Sequence, residues 1–485
     1  MSEKNSVRDQ VFSGMFWKFA ERISAQLVSF VVSVVLARIL LPEAYGVVAM
    51  VMVFINIANV FVTSGFSSAL IQKKDADETD FSTIFYCSAA VAVVIYGIMF
   101  FVAPYIADFY KTEELTSVLR VFSLKIILAS YSSVQHAYVS RHMIFKKFFF
   151  STSFGTLLSG VVGIIMALNG CGVWALVAQY LVNSTVDMIV LNFTVKWRPK
   201  LLFSWKAARS LMKYGWKLFC ASLIGTLYGN LRSLIIGRYY TTEDLAYYNR
   251  GKNFPDLIIN NVVSTITSVL FPAMSNAGGK DEIRRMTQKS IRMTSYIVFP
   301  MMAGMALVAK PFVLVLLTEK WSEAIVYLQL VCLYSACHTV TQTNLQAISA
   351  LGRSDVVLKL EFIKKPVGLI MLLAAIPYGV LAVAITLPLS SIFTMLVNMQ
   401  PNKKLLSYGF GAQAKDLLPS LLLTAGMSAV VYLVSLLPLS NLLMLIAQIC
   451  VGGGVYIGLS IVFKNDSFYY LWNYLVSFVN KRKRK

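Results

Sequence analysis

Charged residues are scarce in this sequence of 485 residues. They make up 14% of the chain, whereas soluble globular domains carry about 25%. Hydrophobic residues make up 57% of the chain, and the mean hydropathy is +0.67. This composition excludes an ordinary soluble protein and predicts an integral membrane protein.

Patterns that carry catalysis or bind metals are also missing. The six cysteines form no CxxC pair, which argues against a disulfide framework and against a metal site. The sequence contains no Walker A loop, no GxSxG motif, no HExxH motif and no outward carboxylate pair of the glycosidase type. We therefore predict no catalytic residues, no cofactor and no metal. If transport is active, we expect an ion gradient or the membrane potential to drive it.

Long apolar runs are what the sequence has in abundance. A helix of about 20 apolar residues crosses about 30 Å of hydrocarbon. Runs of this kind predict fourteen transmembrane helices, near residues 14–40, 44–66, 82–105, 115–138, 148–169, 173–194, 211–236, 245–270, 291–312, 323–347, 360–377, 379–399, 417–437 and 441–463. The first run carries Lys18, Glu21 and Arg22 and has no small-residue cleavage pattern. We therefore do not expect it to be a cleaved signal peptide.

The net charge of +21 is distributed in a way that indicates topology. If the N-terminus is cytoplasmic, most lysines and arginines fall on inward segments, as the positive-inside rule requires. The outward ends carry Arg38, Lys111, Arg120, Arg238, Lys310 and Lys320. We therefore predict that both termini are cytoplasmic, and nucleic-acid binding is the weaker explanation of the basicity. The segment FYYLWNYLVSFVNKRKRK at the C-terminus predicts a helix on an anionic inner leaflet.

The two halves of the chain resemble each other at a shift of about 200 residues. Several pairs keep their spacing: Trp17-Lys18 with Trp216-Lys217, Arg38 and Glu43 with Arg238 and Glu243, and GVWALV at 172–177 with GVLAVA at 379–384. A duplicated unit of six spans enters the membrane from the same side in both copies, which gives parallel repeats.

This repeat predicts an all-α membrane protein of two six-helix bundles followed by two additional helices. The predicted domains are 1–205 and 206–405 for the bundles, 406–463 for the additional helices and 464–485 for a basic cytoplasmic tail. Folds with parallel repeats can expose a path between their halves to each side of the membrane in turn. The pattern therefore favours a transporter over a membrane scaffold that carries nothing.

Seven stretches, taken in their order and spacing, resemble one known family. They are ALIQKKDADETDFSTIFY, SRHMIFKK, GVWALVAQ, LAYYNRGKNFPDLI, SVLFPAMS, LLTEKW and ALGRSDVVLKLEFIKK. Together they resemble the polysaccharide-transport branch of the multidrug/oligosaccharidyl-lipid/polysaccharide (MOP) exporter superfamily. These are the Wzx-type flippases of lipopolysaccharide O-antigen, capsule and colanic-acid-like exopolysaccharide.

The resemblance implies a protein of the bacterial inner membrane that flips an undecaprenyl-diphosphate-linked oligosaccharide between leaflets. It also implies contact with membrane lipids, a polysaccharide polymerase and a chain-length regulator as functional partners, and a monomer. One alternative is a drug/cation antiporter of the same superfamily, which would favour acidic groups in the spans. The other is a membrane polymerase or glycosyltransferase, which would need a longer outward loop or a nucleotide-sugar domain.

Cations inside the predicted spans are the candidate substrate-binding residues. An unpaired charge in hydrocarbon costs a few kcal/mol or more, and cations in a cavity would ease the passage of a diphosphate. The candidates are Lys18, Arg22, Lys125, Arg232, Arg250 and Lys252. Lys18 and Arg22 could instead snorkel to the surface, and Lys252 could pair with Asp256 on one helix face. We favour Arg250 over Lys252 as the cation that faces inward.

Three acidic residues in the predicted spans are candidates for ion coupling: Asp187, Glu21 and Asp256. Asp187 is the only carboxylate of its predicted span. It could carry a coupling proton, or it could accept hydrogen bonds from Asn183 and Ser184.

Other polar residues in the spans favour structural roles. We interpret His136 and His338 as hydrogen-bonded interior histidines in preference to proton carriers. The polar run TVTQTN at 339–344 could contact sugars, but helix packing is the better explanation.

Overall fold

The computed structural model describes residues 2–64, 70, 73, 75–142, 144 and 146–483. The side chains of residues 2–16, 18–20, 214, 265, 267, 269, 474, 475 and 478–483 lie outside that description. The described residues form α-helices, two short 3-10 helices and turns, without a strand. The predicted all-α class is confirmed.

Two compact units make up the chain, Met1–Ala246 and Tyr247–Lys485. The helices of the first unit are α1 (Ser2–Ile39), α2 (Pro42–Thr63), α3 (Glu78–Tyr110), α4 (Glu114–Phe122), α5 (Leu124–Arg141), α6 (Lys146–Leu168), α7 (Val173–Thr194) and α8 (Trp205–Tyr239). Helix α9 (Thr242–Ser275) begins in the first unit and continues into the second.

The second unit contains most of α9 and eight further described helices. These are α10 (Lys280–Leu307), α11 (Ala309–Leu316), α12 (Ala324–Ala350), α13 (Ser354–Ala375), α14 (Val380–Leu406), α15 (Phe410–Ser435), α16 (Asn441–Val462) and α17 (Asp466–Lys483). The two 3-10 helices are Glu319–Trp321 and Ile376–Tyr378.

Eleven helices in the described part of the chain are long and apolar enough to cross a membrane. They are Glu21–Ile39, Pro42–Thr63, Glu78–Tyr110, Glu114–Arg141, Lys146–Leu168, Val173–Thr194, Gly215–Tyr239, Ala324–Ala350, Val380–Leu406, Phe410–Ser435 and Asn441–Val462. A twelfth results if α10 and α11 form one span with a bend of 64°. The predicted span 245–270 lies in the continuous helix α9, and the predicted span 360–377 lies in α13 and ends in the 3-10 helix Ile376–Tyr378. The count of fourteen, the repeat and the domain boundaries stay predictions.

Two predicted spans are interrupted in the structure. The span near 115–138 is divided between α4 and α5 at Ser123, whose hydroxyl donates to the carbonyl of Leu119 at 2.6 Å. Such a bond to the preceding turn competes with regular helix geometry and often bends a helix. The span near 291–312 bends just before Pro311, because proline has no N–H to donate to the preceding turn.

Helix α6 presents a buried row of small residues, one at every fourth position. The row consists of Ser151, Gly155, Ser159, Gly163 and Ala167. A Cβ added at Gly155 would lie 3.3 Å from the carbonyl oxygen of Asn183, and one at Gly163 would lie 3.1 Å from the Cβ of Gln179. Small residues allow membrane helices to approach this closely. The row therefore sets the close packing of α6 on α7, which positions the polar side chains described next.

Candidate functional site

A polar cavity of about 490 Å³ lies among α2, α5, α6 and α7 of the first unit. Hydroxyl, amide and small side chains line it, together with one histidine and one carboxylate: Thr63, Ala129, Ser132, Ser133, His136, Ala137, Ser140, Ser151, Thr152, Asn183, Ser184 and Asp187. The α5 residues recur every three to four positions and so share one helix face. The volume is within the range of ligand pockets, about 300–1,000 Å³.

The Asp187 carboxylate is held on both of its oxygens. His136 Nε2 lies 2.9 Å from Asp187 Oδ2, and the Ser151 hydroxyl donates to Oδ1. The His136 ring stacks on Phe148 with 4.9 Å between the ring centroids. The histidine and the aspartate that the sequence singled out separately are thus partners. Asn183 and Ser184 line the same cavity, but the partners of the carboxylate are His136 and Ser151.

Glu21 of α1 contacts α6 at the residue that follows Ser151. The Thr152 hydroxyl donates to Glu21 Oε1 at 3.3 Å, and α1 packs along α6. The adjacent residues Ser151 and Thr152 therefore bind the two acids Asp187 and Glu21. Sequence reasoning missed both hydroxyls, although the small-residue spacing of α6 could have indicated which face of that helix is buried.

The partners of Asp187 limit the cost of placing a carboxylate in a membrane-length helix. A buried charge is costly when it has no partner. Here a protonated His136 imidazole would compensate the carboxylate charge, and the Ser151 hydroxyl donates to the other oxygen. The Asp187 carboxylate therefore has a partner on α5 and another on α6.

The candidate cations of the first unit lie outside the described lining of this cavity. Lys125 Nζ lies 5.0 Å from the centroid of the Tyr180 ring and 5.7 Å from that of Phe122, which is cation–π geometry. Arg22 is exposed on α1 and Arg232 is half-buried on α8. Lys18 belongs to α1, but its side chain lies outside the described residues.

The candidate cations of the second unit have different surroundings. Arg250 is 4% exposed, and its guanidinium lies 5.2 Å from the centroid of the Trp321 ring and 5.9 Å from that of Phe254. Lys252 Nζ lies 3.9 Å from Asp256 Oδ2, so the pair considered from their spacing exists. The two cations point in different directions, as their separation of two residues predicts.

Gly251, between these cations, lies directly against the backbone of α12. A Cβ at this position would lie 2.7 Å from the backbone nitrogen of Leu328 and 2.8 Å from the carbonyl oxygen of Ala324. The contact is between the two backbones, so no side-chain rotation could relieve it. This close approach holds the adjacent Arg250 over Trp321.

A buried amide network joins α12, α14 and α15 in the second unit. Asn344 and Gln413 exchange two hydrogen bonds of 2.9 Å, and Asn402 Nδ2 donates to Asn344 Oδ1 at 2.6 Å. Thr339 and Thr343 from the same polar run are also buried. The TVTQTN run therefore contributes to helix packing, as expected.

Comparison with known proteins agrees with the resemblance seen in the sequence. A family model described as polysaccharide biosynthesis protein matches residues 35–326. The succinoglycan biosynthesis transport protein ExoT of Rhizobium meliloti is 25% identical over 341 residues, 70% of this chain and 69% of that protein. The lipopolysaccharide biosynthesis protein WzxC of Escherichia coli is 24% identical over 399 residues, 81% of this chain and 80% of that protein.

Among solved structures, the fold is similar to that of the lipid II flippase MurJ in an inward closed conformation. The TM-score is 0.76 at 16% sequence identity, and the match covers 94% of this chain and 99% of that structure. At this identity the match bears on the fold alone.

Proposed function

The chain belongs to the polysaccharide biosynthesis protein family, and on that premise we propose that it flips lipid-linked oligosaccharides across the bacterial inner membrane. Relatives named for succinoglycan transport and lipopolysaccharide biosynthesis support a saccharide substrate, and a fold similar to that of a lipid II flippase supports the lipid-linked form. The observation that carries the proposal is the polar cavity among membrane-length helices of the first unit, with the Asp187–His136 pair in its wall.

The cavity lining suits a sugar better than a hydrophobic drug. Hydroxyl side chains both donate and accept hydrogen bonds, and Ser132, Ser133 and Ser140 on α5 line the cavity together with Ser184 on α7. Sugar hydroxyls can exchange bonds with such groups while the lipid tail stays in the bilayer. A saccharide head group is therefore a better match than the drug or cation of the alternative antiporter.

The Asp187–His136 pair is the proposed coupling element, with Glu21 as a second acid on the same wall. Protonation of Asp187 would weaken its bonds to His136 and Ser151, which join α5, α6 and α7. The three helices could then repack, and a proton gradient would bias that change. Asp256 is the weaker candidate because Lys252 pairs with it.

The intramembrane cations are proposed to contact the diphosphate, with Arg250 first among Arg22, Lys18, Lys125, Arg232 and Lys252. Cation–π contacts with Trp321 and Phe254 restrict the Arg250 guanidinium, which limits the entropy that phosphate binding would cost. A polysaccharide polymerase and a chain-length regulator would act on the flipped product. We expect the flippase to work as a monomer with both termini in the cytoplasm.

Deletion of this gene is expected to leave lipid-linked repeat units in the cytoplasmic leaflet and to remove the corresponding surface polysaccharide. The host strain must lack a second exporter. Lectin labelling of intact spheroplasts, compared with inverted vesicles, measures the leaflet. Normal surface polysaccharide would contradict the proposal. Normal polysaccharide with new sensitivity to cationic drugs would instead support the antiporter.

Replacing Arg250 with glutamine is expected to reduce export at least about tenfold, because a hydrogen bond to a charged group contributes about 1.5–3 kcal/mol. Arg250→Lys keeps the charge and should retain more export than Arg250→Gln. Surface polysaccharide per amount of membrane protein is the measurement. Unchanged export by Arg250→Gln would remove this residue from the site. Equal loss in both variants, with less protein, would assign it to packing on Trp321.

A further inference from the structure

A basic pocket of about 270 Å³ lies in the second unit, where α17 begins beside α10. Its lining includes Arg285, Gln288, Lys289 and Arg292 from α10, and Asp466 and Ser467 from α17. The three cations are separated by four and three residues, so they share one face of α10. Arg285, Lys289 and Arg292 are exposed.

Arg292, one of the three cations, forms an ion pair with the buried Asp416. Arg292 donates to Asp416 Oδ1 through Nε at 2.9 Å and through Nη2 at 2.5 Å. The other oxygen of Asp416 accepts a hydrogen bond of 2.7 Å from the Tyr408 hydroxyl. Burial, followed by this bond, raises the pKa of Tyr408, so the phenol stays a donor. Arg292 is therefore fixed in the wall of the pocket.

The lining keeps about one net positive charge. Among the described residues, no carboxylate forms an ion pair with Arg285 or Lys289. The negative charge of Asp416 offsets the positive charge of Arg292. Asp466, which lines the pocket, offsets a second positive charge. One positive charge remains of the three, and that charge matches a singly charged phosphodiester better than a diphosphate.

The start of α17 carries aromatic side chains, and one of them, Tyr470, contacts a cation of this pocket. Phe468 and Leu471 pack against a cluster of buried residues of the second unit, while Tyr470 and Trp472 are 47% and 55% exposed. Lys289 Nζ lies 3.7 Å from the centroid of the Tyr470 ring. Exposed tyrosine and tryptophan are typical of the level of lipid head groups, which favours a lipid over a soluble anion.

We propose that this pocket binds the phosphodiester of an anionic phospholipid in the cytoplasmic leaflet, with Arg285, Lys289 and Arg292 as its phosphate contacts. The acyl chains lie beside Tyr470 and Trp472. The bound lipid holds the start of α17 against α10. This site does not depend on the proposed transport function, because its occupant is a resident membrane lipid and its test measures binding.

The test measures lipid binding by the purified full-length protein in phosphatidylcholine nanodiscs, with phosphatidylglycerol titrated in. The double variant Arg285→Gln/Lys289→Gln is expected to bind phosphatidylglycerol about 30-fold more weakly, since two charge-assisted contacts with the phosphate are lost and this factor corresponds to about 2 kcal/mol. The matched control Lys213→Gln/Lys217→Gln removes the same charge from exposed residues of α8. We expect it to weaken binding no more than about twofold.

Three alternative outcomes would each contradict one part of the proposal. If the control variant loses as much phosphatidylglycerol binding, the lipid is attracted to the basic surface in general and is not bound in this pocket. Competition by inorganic phosphate as effective as that of phosphatidylglycerol would make the ligand a free anion. Tighter binding of undecaprenyl diphosphate would make it a substrate head group. Unfolding temperatures in pure phosphatidylcholine verify that the variants fold, and the single variant Arg285→Gln provides a milder second test.

Discussion

Replacing Asp187 with asparagine is expected to reduce export of the lipid-linked oligosaccharide about 10- to 100-fold, because a hydrogen bond to a charged group contributes about 1.5–3 kcal/mol. Asparagine keeps one acceptor oxygen, and its NH2 group can donate to the Ser151 hydroxyl or to a neutral His136, but it cannot take up a proton. The helices should therefore still pack, and the coupled step should fail. The measurement is surface polysaccharide in a deletion strain that carries the variant, normalised to membrane protein.

Two controls make the Asp187 result specific. Asp187→Glu retains a titratable carboxylate and should restore part of the export. Asp108→Asn removes the same charge from an exposed position at the end of α3, and export should be unchanged. Full export by Asp187→Asn would mean that this carboxylate does not couple ion movement to transport. Loss of the protein itself would mean that Asp187 is needed for folding.

Gly251→Ala is expected to lower the free energy of unfolding by about 1–3 kcal/mol, the usual cost of overpacking a close contact. The added methyl group would lie 2.7 Å from the Leu328 nitrogen and 2.8 Å from the Ala324 oxygen. Because both atoms belong to the backbone of α12, α9 would have to move away and carry Arg250 with it. Thermal unfolding in detergent measures the stability, and export should fall with it.

The matched control for Gly251 is Gly454 in α16 of the same unit. A Cβ at Gly454 meets nothing within 4 Å, so Gly454→Ala should leave stability unchanged or raise it by up to about 1 kcal/mol through helix propensity. Equal stability of wild type and Gly251→Ala would show that α9 and α12 can separate at little cost, and that Arg250 is not held by this contact.

The sequence predicted the ends of many helices well, because their signals are local. Helix α2 begins at Pro42, next to the predicted start near 44, and α7 covers the predicted span 173–194. The interruption at Ser123 and the bend near Pro311 escaped prediction, because the hydrophobic runs are continuous across both. In each case one side chain alters backbone hydrogen bonding while hydropathy barely changes.

The charged residues of the candidate site stood out one by one in the sequence, but the hydroxyl residues and the assembly did not. Charges in apolar runs marked Asp187, Arg250 and Lys252 as unusual, because buried charge is costly wherever it lies. At the shift of about 200 residues, the predicted repeat also aligns Arg250 and Lys252 with Met50 and Met52 of the first half. The sequence pattern did not reveal that Trp321 and Phe254 make cation–π contacts with Arg250.

Membrane class and the helical fold follow from the sequence by itself. In a bilayer each backbone polar group must be bonded within its own segment, so a long apolar run has to form a helix. Tertiary structure alone decided which polar side chains meet. His136 and Ser151 lie 51 and 36 residues from Asp187 along the chain. Their contact depends on how each helix is rotated about its axis, and close packing along the small residues of α6 sets that rotation.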